Sequence, residues 1–353
     1  MKREIFVGKV GIGGDHPVSI QSMTNTDAGD IEGTLRQIRR LKTAGCDIVR
    51  VAIPQKTALA PFRRIVARSP LPVIADIHFD AALALGALEN GAHGVRINPG
   101  NIGGSEKLQA VIRLAAQKKV PMRIGVNAGS LEKKYRRPGL ERAEAMVASL
   151  LDRVKFFEDQ GFFDLKLSLK SHDVAETVAA NRLADRMCAY PLHLGVTEAG
   201  SYFAGSIRSA VGIGSLLLAG IGNTIRVSLT ADPVREIRVA RQILASVNLG
   251  RDGIDVVSCP TCARTSVDLI PLVEEFESKA RRLRFPGRLR VALMGCEVNG
   301  PGEAGDADVG VAFSRRRAFL FRKGKIVARV GADEAIARLL ELISELATED
   351  GRG

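Results

Sequence analysis

Five cysteines among 353 residues are too few for a disulfide framework. In a reducing compartment such thiols serve metal or redox chemistry instead. Long apolar runs are missing too. The longest, AVGIGSLLLAGIG at 210–222, has 13 residues and is broken by glycines. That is too short for a bilayer, so a buried helix and no membrane partner are expected. The opening stretch, MKREIFVGKVGIGGDHP, lacks a sustained apolar core, which predicts no signal peptide and a cytoplasmic chain. Histidine is scarce, and its five positions (16, 78, 93, 172 and 193) leave the last 160 residues without one.

Positive charge is plentiful. Lys and Arg number 51 against 39 Asp and Glu, a net of +12. Such a balance suits nucleic acid, an acidic protein partner or a phosphorylated substrate, with a plain solvated basic surface as the bland reading. No helix-turn-helix or aromatic RNA-binding motif is visible, so a basic iron–sulfur regulator of nucleic acid is disfavoured and no nucleic-acid partner is expected.

The length calls for two domains. Over the first 230 residues, short β-rich runs alternate with helical patterns. The runs are VSIQSM (18–23), DIVRVAI (47–53), PVIADI (72–77), GVRINPG (94–100), PMRIGVN (121–127), DLKLSLK (164–170), PLHLGVT (191–197) and TIRVSLT (224–230). Eight strand-then-helix repeats, most 22–33 residues apart, predict a (β/α)8 barrel over 1–248, in preference to a doubly wound sheet. The 43-residue step after the fifth strand carries a basic loop, AGSLEKKYRRPG, suited to a lid or a tether. A small α+β domain is expected over 249–353.

Barrel helices cover the outer face of the strands, so the apolar set of each strand should point outward and the polar set inward. That parity turns Arg50, Arg96, Asn98, Arg123, Asn127, Lys166, Ser168, Lys170, Arg226 and Ser228 toward the axis or mouth. Buried cations cost several kcal/mol each unless paired or hydrated. Asp76 and Glu198 are the expected internal partners, and they cannot neutralise Arg50, Arg96, Arg123, Lys170 and Arg226 together. The surplus asks for an anion, and guanidinium forks suit a diphosphate. The strand ends also supply His78, Thr197 and Glu198, groups able to move or hold protons where barrel active sites lie.

In the second domain, SCPTC places Cys259 and Cys262 two residues apart, and GCEVNGPGEA adds Cys296 and Glu303. Three readings stand open. Structural zinc wants a fourth Cys or His that this domain lacks. A dithiol leaves Cys296 unexplained. An iron–sulfur cluster fits three thiolates, with Glu303 the nearest candidate for the remaining place. Cys46 and Cys188 are read as packing residues.

Taken together, QSMTNTD, ADIHFD, RINPGNIG, LHLGVTEAG, IGNTIRVSLTADP, SCPTC and GCEVNGPGEA resemble the 4-hydroxy-3-methylbut-2-enyl diphosphate synthases of the non-mevalonate isoprenoid pathway, in their bacterial form. The resemblance runs over nearly the whole chain. It implies a TIM barrel followed by a domain resembling a sulfite/nitrite reductase repeat. It implies a [4Fe–4S] cluster on Cys259, Cys262, Cys296 and Glu303, and diphosphate binding by Arg50, Arg96, Arg123, Lys170, Arg226 and Ser228. His78, Asn98, Asn127, Thr197 and Glu198 become further substrate contacts, with His78, Glu198 and Glu303 in catalytic roles. The implied reaction opens 2-C-methyl-D-erythritol 2,4-cyclodiphosphate reductively, with electrons from flavodoxin or ferredoxin, acidic carriers that the positive charge would steer. A homodimer sharing its active site between chains is implied as well. The alternative is a phosphate-binding barrel lyase or pterin-type synthase with a structural metal site.

Overall fold

The computed structural model describes residues 2–350 except 78–79, 99–103, 137–138, 282, 284, 286 and 298–303. The chain forms two compact units, Met1–Leu249 and Gly250–Gly353.

The first unit opens on a hairpin of β1 (Ile5–Val7) and β2 (Val10–Ile12). Eight parallel strands follow: β3 (Ser19–Met23), β4 (Ile48–Ala52), β5 (Val73–Asp76), β6 (Gly94–Ile97), β7 (Met122–Asn127), β8 (Leu165–Lys170), β9 (His193–Leu194) and β10 (Thr224–Ile225). Their order round the sheet is β8-β7-β6-β5-β4-β3-β10-β9. A parallel bridge between Leu167 and Leu192 brings the two ends together. The eight helices between and after them are α1 (Ile31–Ala44), α2 (Leu59–Arg68), α3 (Ala81–Glu89), α4 (Ser105–Lys118), α5 (Arg142–Glu158), α6 (Val174–Met187), α7 (Tyr202–Leu218) and α8 (Pro233–Ser246). The expected (β/α)8 barrel is the observed one.

Local chemistry explains the elements. Asp232 caps α8 by accepting the Val234 N–H, and Pro233 takes the first helical position, where no N–H is needed. Ile237, Ala240, Ile243 and Leu244 recur at helical spacing and are buried on the barrel wall. Strand β8 shows the two-sided logic of the sheet. Leu165, Leu167 and Leu169 join the core under the helices, so Lys166, Ser168 and Lys170 take the interior side of the same strand. At the floor, Ile5, Val7 and Ile12 of the hairpin pack against Ile48 and Ile74 and close that end with hydrocarbon.

The 210–222 stretch departs from expectation. Helix α7 buries Gly205, Ser209, Gly212, Ile213, Leu216 and Leu217, but Phe203, Ile207, Val211 and Leu218 are exposed. It is amphipathic with an apolar outer stripe, not a fully buried helix. No helix among the described residues is long and apolar enough to cross a membrane.

The second unit holds one five-stranded sheet ordered β11 (Gly253–Ser258), β12 (Arg288–Met294), β13 (Val309–Phe313), β14 (Arg317–Arg322) and β15 (Lys325–Gly331). The first three run parallel and the last two antiparallel. Helices α9 (Leu269–Ala280) and α10 (Ala335–Asp350) cover one face through Leu269, Phe276, Leu339 and Ile343.

Candidate active site

Six cations share the barrel interior. Asp76 sits between two of them, with Arg50 at 3.5 Å and Arg96 at 3.3 Å. Arg226 lies 4.0 Å from Glu236, and Lys166 donates to Thr224 Oγ1 at 3.4 Å. Arg123 is 6% exposed, and its Nε and Nη1 have no hydrogen-bond partner among the described residues. Lys170 is buried beside Gly195, where an added Cβ would stand 2.6 Å from its Nζ. A side chain at 195 would occupy the ammonium's place.

Burial holds Arg123 well below the ordinary guanidinium value, and neighbouring Arg50 and Arg96 push further the same way. Burial depresses Lys170 as well, followed by repulsion from Arg123 and Arg226. A guanidinium does not release its proton in a folded protein. Its depression therefore expresses the cost of keeping charge from water without an anion. Among the described residues, the carboxylates paired with these cations are Asp76 and Glu236.

Here the expected pairing needs correction. Glu198 is exposed and does not serve as the second internal carboxylate. That carboxylate is Glu236 of α8, which accepts from the Leu229 N–H at 3.0 Å and from Ser22 Oγ at 3.3 Å. Burial raises its pKa against the pull of Arg226. Glu198 itself has φ +54°, a left-handed conformation that costs a non-glycine residue about 1 kcal/mol. The turn after β9 holds it in that conformation.

Asn98 lies just beyond β6 and accepts from Arg153 Nη1 at 2.9 Å. That bond fixes the amide, so its NH2 is the half left free to donate. Arg153 also donates to the Gly125 carbonyl at 3.0 Å and pairs with Glu132 at 3.5 Å. Thr197 is held beside the end of β8 by its N–H on the Ser171 carbonyl, 3.1 Å. Asn127 closes β7, and Ser228 follows β10 half-buried. The basic loop is anchored rather than loose, because Tyr135 is buried with its hydroxyl on Asp152 at 2.6 Å. His78 lies outside the described residues.

In the second unit, β11 and β12 run parallel with Ser258 opposite Leu293, so Cys259 and Cys296 leave the same end of the sheet. The Gly295 N–H donates to Cys259 Sγ at 3.2 Å, and the Ser266 N–H to the Gly295 carbonyl at 2.8 Å. These bonds tie the CxxC turn to the loop bearing Cys296. All three thiols are free; Cys296 is buried and Cys262 exposed. Among the described residues no three His, Cys, Asp or Glu side chains converge into a metal-binding group. The donor chemistry nevertheless fits an iron–sulfur cluster better than zinc: three thiols, one already accepting an amide N–H as cluster sulfurs do, and no histidine. Glu303 lies outside the described residues.

Residue reasoning passed over several interior groups. Gln21 and His193 are almost completely buried, with both polar atoms of each side chain unpartnered among the described residues. They share the inward parity of their strands, so the alternation that selected Arg226 selects them equally. Glu236 and Arg153 carry no such signal, because each sits in a helical pattern that reads as ordinary surface.

Comparison with known proteins agrees with this geometry over the full length. Residues 2–241 match the GcpE TIM-barrel domain and 255–345 the GcpE protein C-terminal domain. The 4-hydroxy-3-methylbut-2-en-1-yl diphosphate synthase (flavodoxin) of Geobacter sulfurreducens is 52% identical, covering 97% of this chain and 98% of that protein. Its counterpart from Caldanaerobacter subterraneus is 48% identical, covering 99% and 98%. Among solved structures, a dihydropteroate synthase from Coxiella burnetii shares the barrel fold alone, with TM-score 0.50, 13% identity and coverage of 70% and 98%. The chain belongs to the GcpE family, the family of 4-hydroxy-3-methylbut-2-en-1-yl diphosphate synthases.

Proposed function

We propose that this chain converts 2-C-methyl-D-erythritol 2,4-cyclodiphosphate into 4-hydroxy-3-methylbut-2-enyl diphosphate in the cytoplasm. One cyclic diphosphate, two electrons and two protons give one linear diphosphate and one water. Two reduced flavodoxins, the carrier in the relatives' names, supply the electrons one at a time, and ferredoxin is chemically equivalent. The observation that carries the reading is buried Arg123, whose Nε and Nη1 have no hydrogen-bond partner among the described residues, set among cations that outnumber the carboxylates paired with them there. A bound diphosphate supplies the missing charge.

In this reading residues 1–248 bind substrate and 249–353 receive electrons. Arg50, Arg96, Arg123, Lys170, Arg226 and Ser228 hold the diphosphate, while Asn98, Asn127 and Thr197 orient the carbon skeleton. Glu198 and His78 are assigned to proton movement. Cys259, Cys262 and Cys296 would hold a [4Fe–4S] cluster, with Glu303 as a displaceable fourth ligand. When bound, that group supplies one-electron reduction at a carbon–oxygen bond. The barrel's own work is binding, orientation and exclusion of water.

A homodimer sharing its active sites completes the proposal. The six residues from Val247 to Asp252 reach at most about 20 Å, roughly the height of a six-residue strand. In this proposal the thiols of each chain serve the barrel of its partner. The exposed apolar stripe of α7 offers surface for a second copy.

Anaerobically purified protein tests the assignment. It should carry iron and sulfide for one cluster per chain and turn over the cyclic diphosphate, and Cys296→Ser should lose both. Stoichiometric zinc instead, or a fully active Cys296→Ser, would refute it. Glu198→Ala and Cys296→Ser subunits, each inactive, should regain activity when allowed to exchange; stable heterodimers without activity would show that each chain works alone. The alternative of a pterin-type synthase rests on barrel likeness only.

A further inference from the structure

From Val309 to Ala332 the sequence has seven cations and no carboxylate. All seven are exposed. They fall in separate places on the sheet of the second unit. Arg315, Arg316 and Arg317 form the turn from β13 into β14, Arg322, Lys323 and Lys325 the turn from β14 into β15, and Arg329 lies along β15.

The strand register decides which group matters. Ser258 pairs with Leu293, Met294 with Ala312, Phe313 with Ala318, and Arg317 with Gly331. The ends of β11, β12 and β13 that lead to Cys259 and Cys296 are therefore level with the Arg315–Arg317 turn. The Arg322–Lys325 turn is at the opposite end. Strands β12 and β14 are two positions apart, so the arginine turn lies on the order of 10–15 Å from the thiol end of β12.

Two of these cations extend onto the sheet face away from α9 and α10. Ala318, Leu320, Ala328 and Val330 pack toward the helices, so Arg317, Phe319 and Arg329 take the other side. There Arg329 stacks over the half-exposed Phe319 ring at 5.8 Å. None of Arg315, Arg316, Arg317 and Arg329 forms an ion pair among the described residues; Asp333 and Glu334, exposed just beyond β15, bound the patch. Exposed arginines without an ion pair among the described residues, beside a stacked aromatic, fit a macromolecular anion that presents carboxylates on a broad surface.

We propose that the Arg315–Arg317 turn, with Arg329 and Phe319, is the docking surface for the acidic electron-carrier protein. This rests on the redox reading above and gives it a location: the carrier seats at the sheet end from which the thiols emerge. The charge serves association, so its removal acts on carrier affinity and salt dependence and not on chemistry.

Two readouts separate this proposal from the reading beneath it. Turnover driven by reduced methyl viologen reports the redox reaction without a carrier protein. Calorimetric binding of oxidised flavodoxin reports docking without turnover. Arg315→Glu/Arg316→Glu/Arg317→Glu should weaken flavodoxin binding at low salt by about tenfold or more and raise its KM in parallel. Its viologen-driven rate should equal the wild type, and the three Arg→Lys changes should retain binding. Lys323→Glu/Lys325→Glu carries about two-thirds of that charge change at the far end and should move affinity less than about twofold. Unchanged flavodoxin affinity in the first variant, or equal loss in the second, would overturn the location. So would loss of single-stranded RNA binding with carrier affinity intact, which would assign the patch to nucleic acid. A wild-type protein that binds flavodoxin yet shows no viologen-driven turnover would refute the assigned reaction, not the docking surface.

Discussion

Replacing Arg123 by Met should move stability and binding in opposite directions. The side chain is buried with Nε and Nη1 unpartnered among the described residues, and each buried donor left unsatisfied costs about 1–3 kcal/mol. Met keeps most of the volume and removes the charge, relieving the repulsion from Arg50 and Arg96. The ligand-free protein should therefore gain about 1–3 kcal/mol. In a unit the size of Met1–Leu249, each kcal/mol raises Tm by about 2–4 °C. The cost appears on ligand binding. A charge-assisted contact is worth about 1.5–3 kcal/mol, so affinity for the cyclic diphosphate should fall about 10- to 150-fold. Calorimetric unfolding of the ligand-free protein and titration with the cyclic diphosphate measure both. A lower Tm with unchanged affinity would show that Arg123 holds the fold together and that no anion is expected beside it.

Arg153→Ala should raise KM for the cyclic diphosphate about tenfold with a smaller change in kcat, since Arg153 fixes the Asn98 amide and its loss removes about 1.4 kcal/mol of ordered contact. Arg153→Lys should recover only part of this, lacking the fork that reaches both Asn98 and the Gly125 carbonyl; full activity in the Ala variant would refute the role. Gly195→Ala should both destabilise, by about 1–3 kcal/mol, and weaken diphosphate binding, because its Cβ would stand 2.6 Å from Lys170 Nζ and from the Arg226 carbonyl; normal affinity would mean that Lys170 is not a ligand contact. His193 is buried, and burial, then Lys170 and Arg123, hold its pKa well below the usual value. The unfolded chain takes up a proton near pH 6.5 that the fold refuses, so stability should fall as pH drops below about 6.5, by up to about 1.4 kcal/mol per pH unit. His193→Gln should flatten that slope in thermal unfolding, and an unchanged slope would assign it to other groups.

The barrel was legible because its strands are two-sided. In LKLSLK the leucines and the polar residues separate cleanly by parity, and the same rule reached Arg123, Lys170 and Arg226 at their inward positions. It was applied too narrowly, since Gln21 and His193 obey it and were passed over. Two regular ladders came out shorter than their sequence runs, with β9 and β10 pairing over two residues each. Glu236 was not legible at all. DPVREIRVARQIL is an amphipathic helix in which a glutamate in the first turn reads as solvated, and only the approach of β10 and β3 turns it inward. In the second domain the sequence supplied the thiols, and the parallel register supplied their shared sheet end.

The hairpin under the barrel sets a timetable for synthesis. Its leading residues bond across nearly the whole first unit: the Arg3 N–H to the Ala189 carbonyl, and Lys2 Nζ to Asp185 and to the Cys188 carbonyl, 186 residues away. These residues, synthesised well before 185–189, thus cannot find their partners until about the seventh strand has emerged. At about 5–20 residues per second that wait is about 10–40 s. Through it Ile5, Val7 and Ile12 have no completed floor to cover, which makes the nascent hairpin a segment for chaperones to shield.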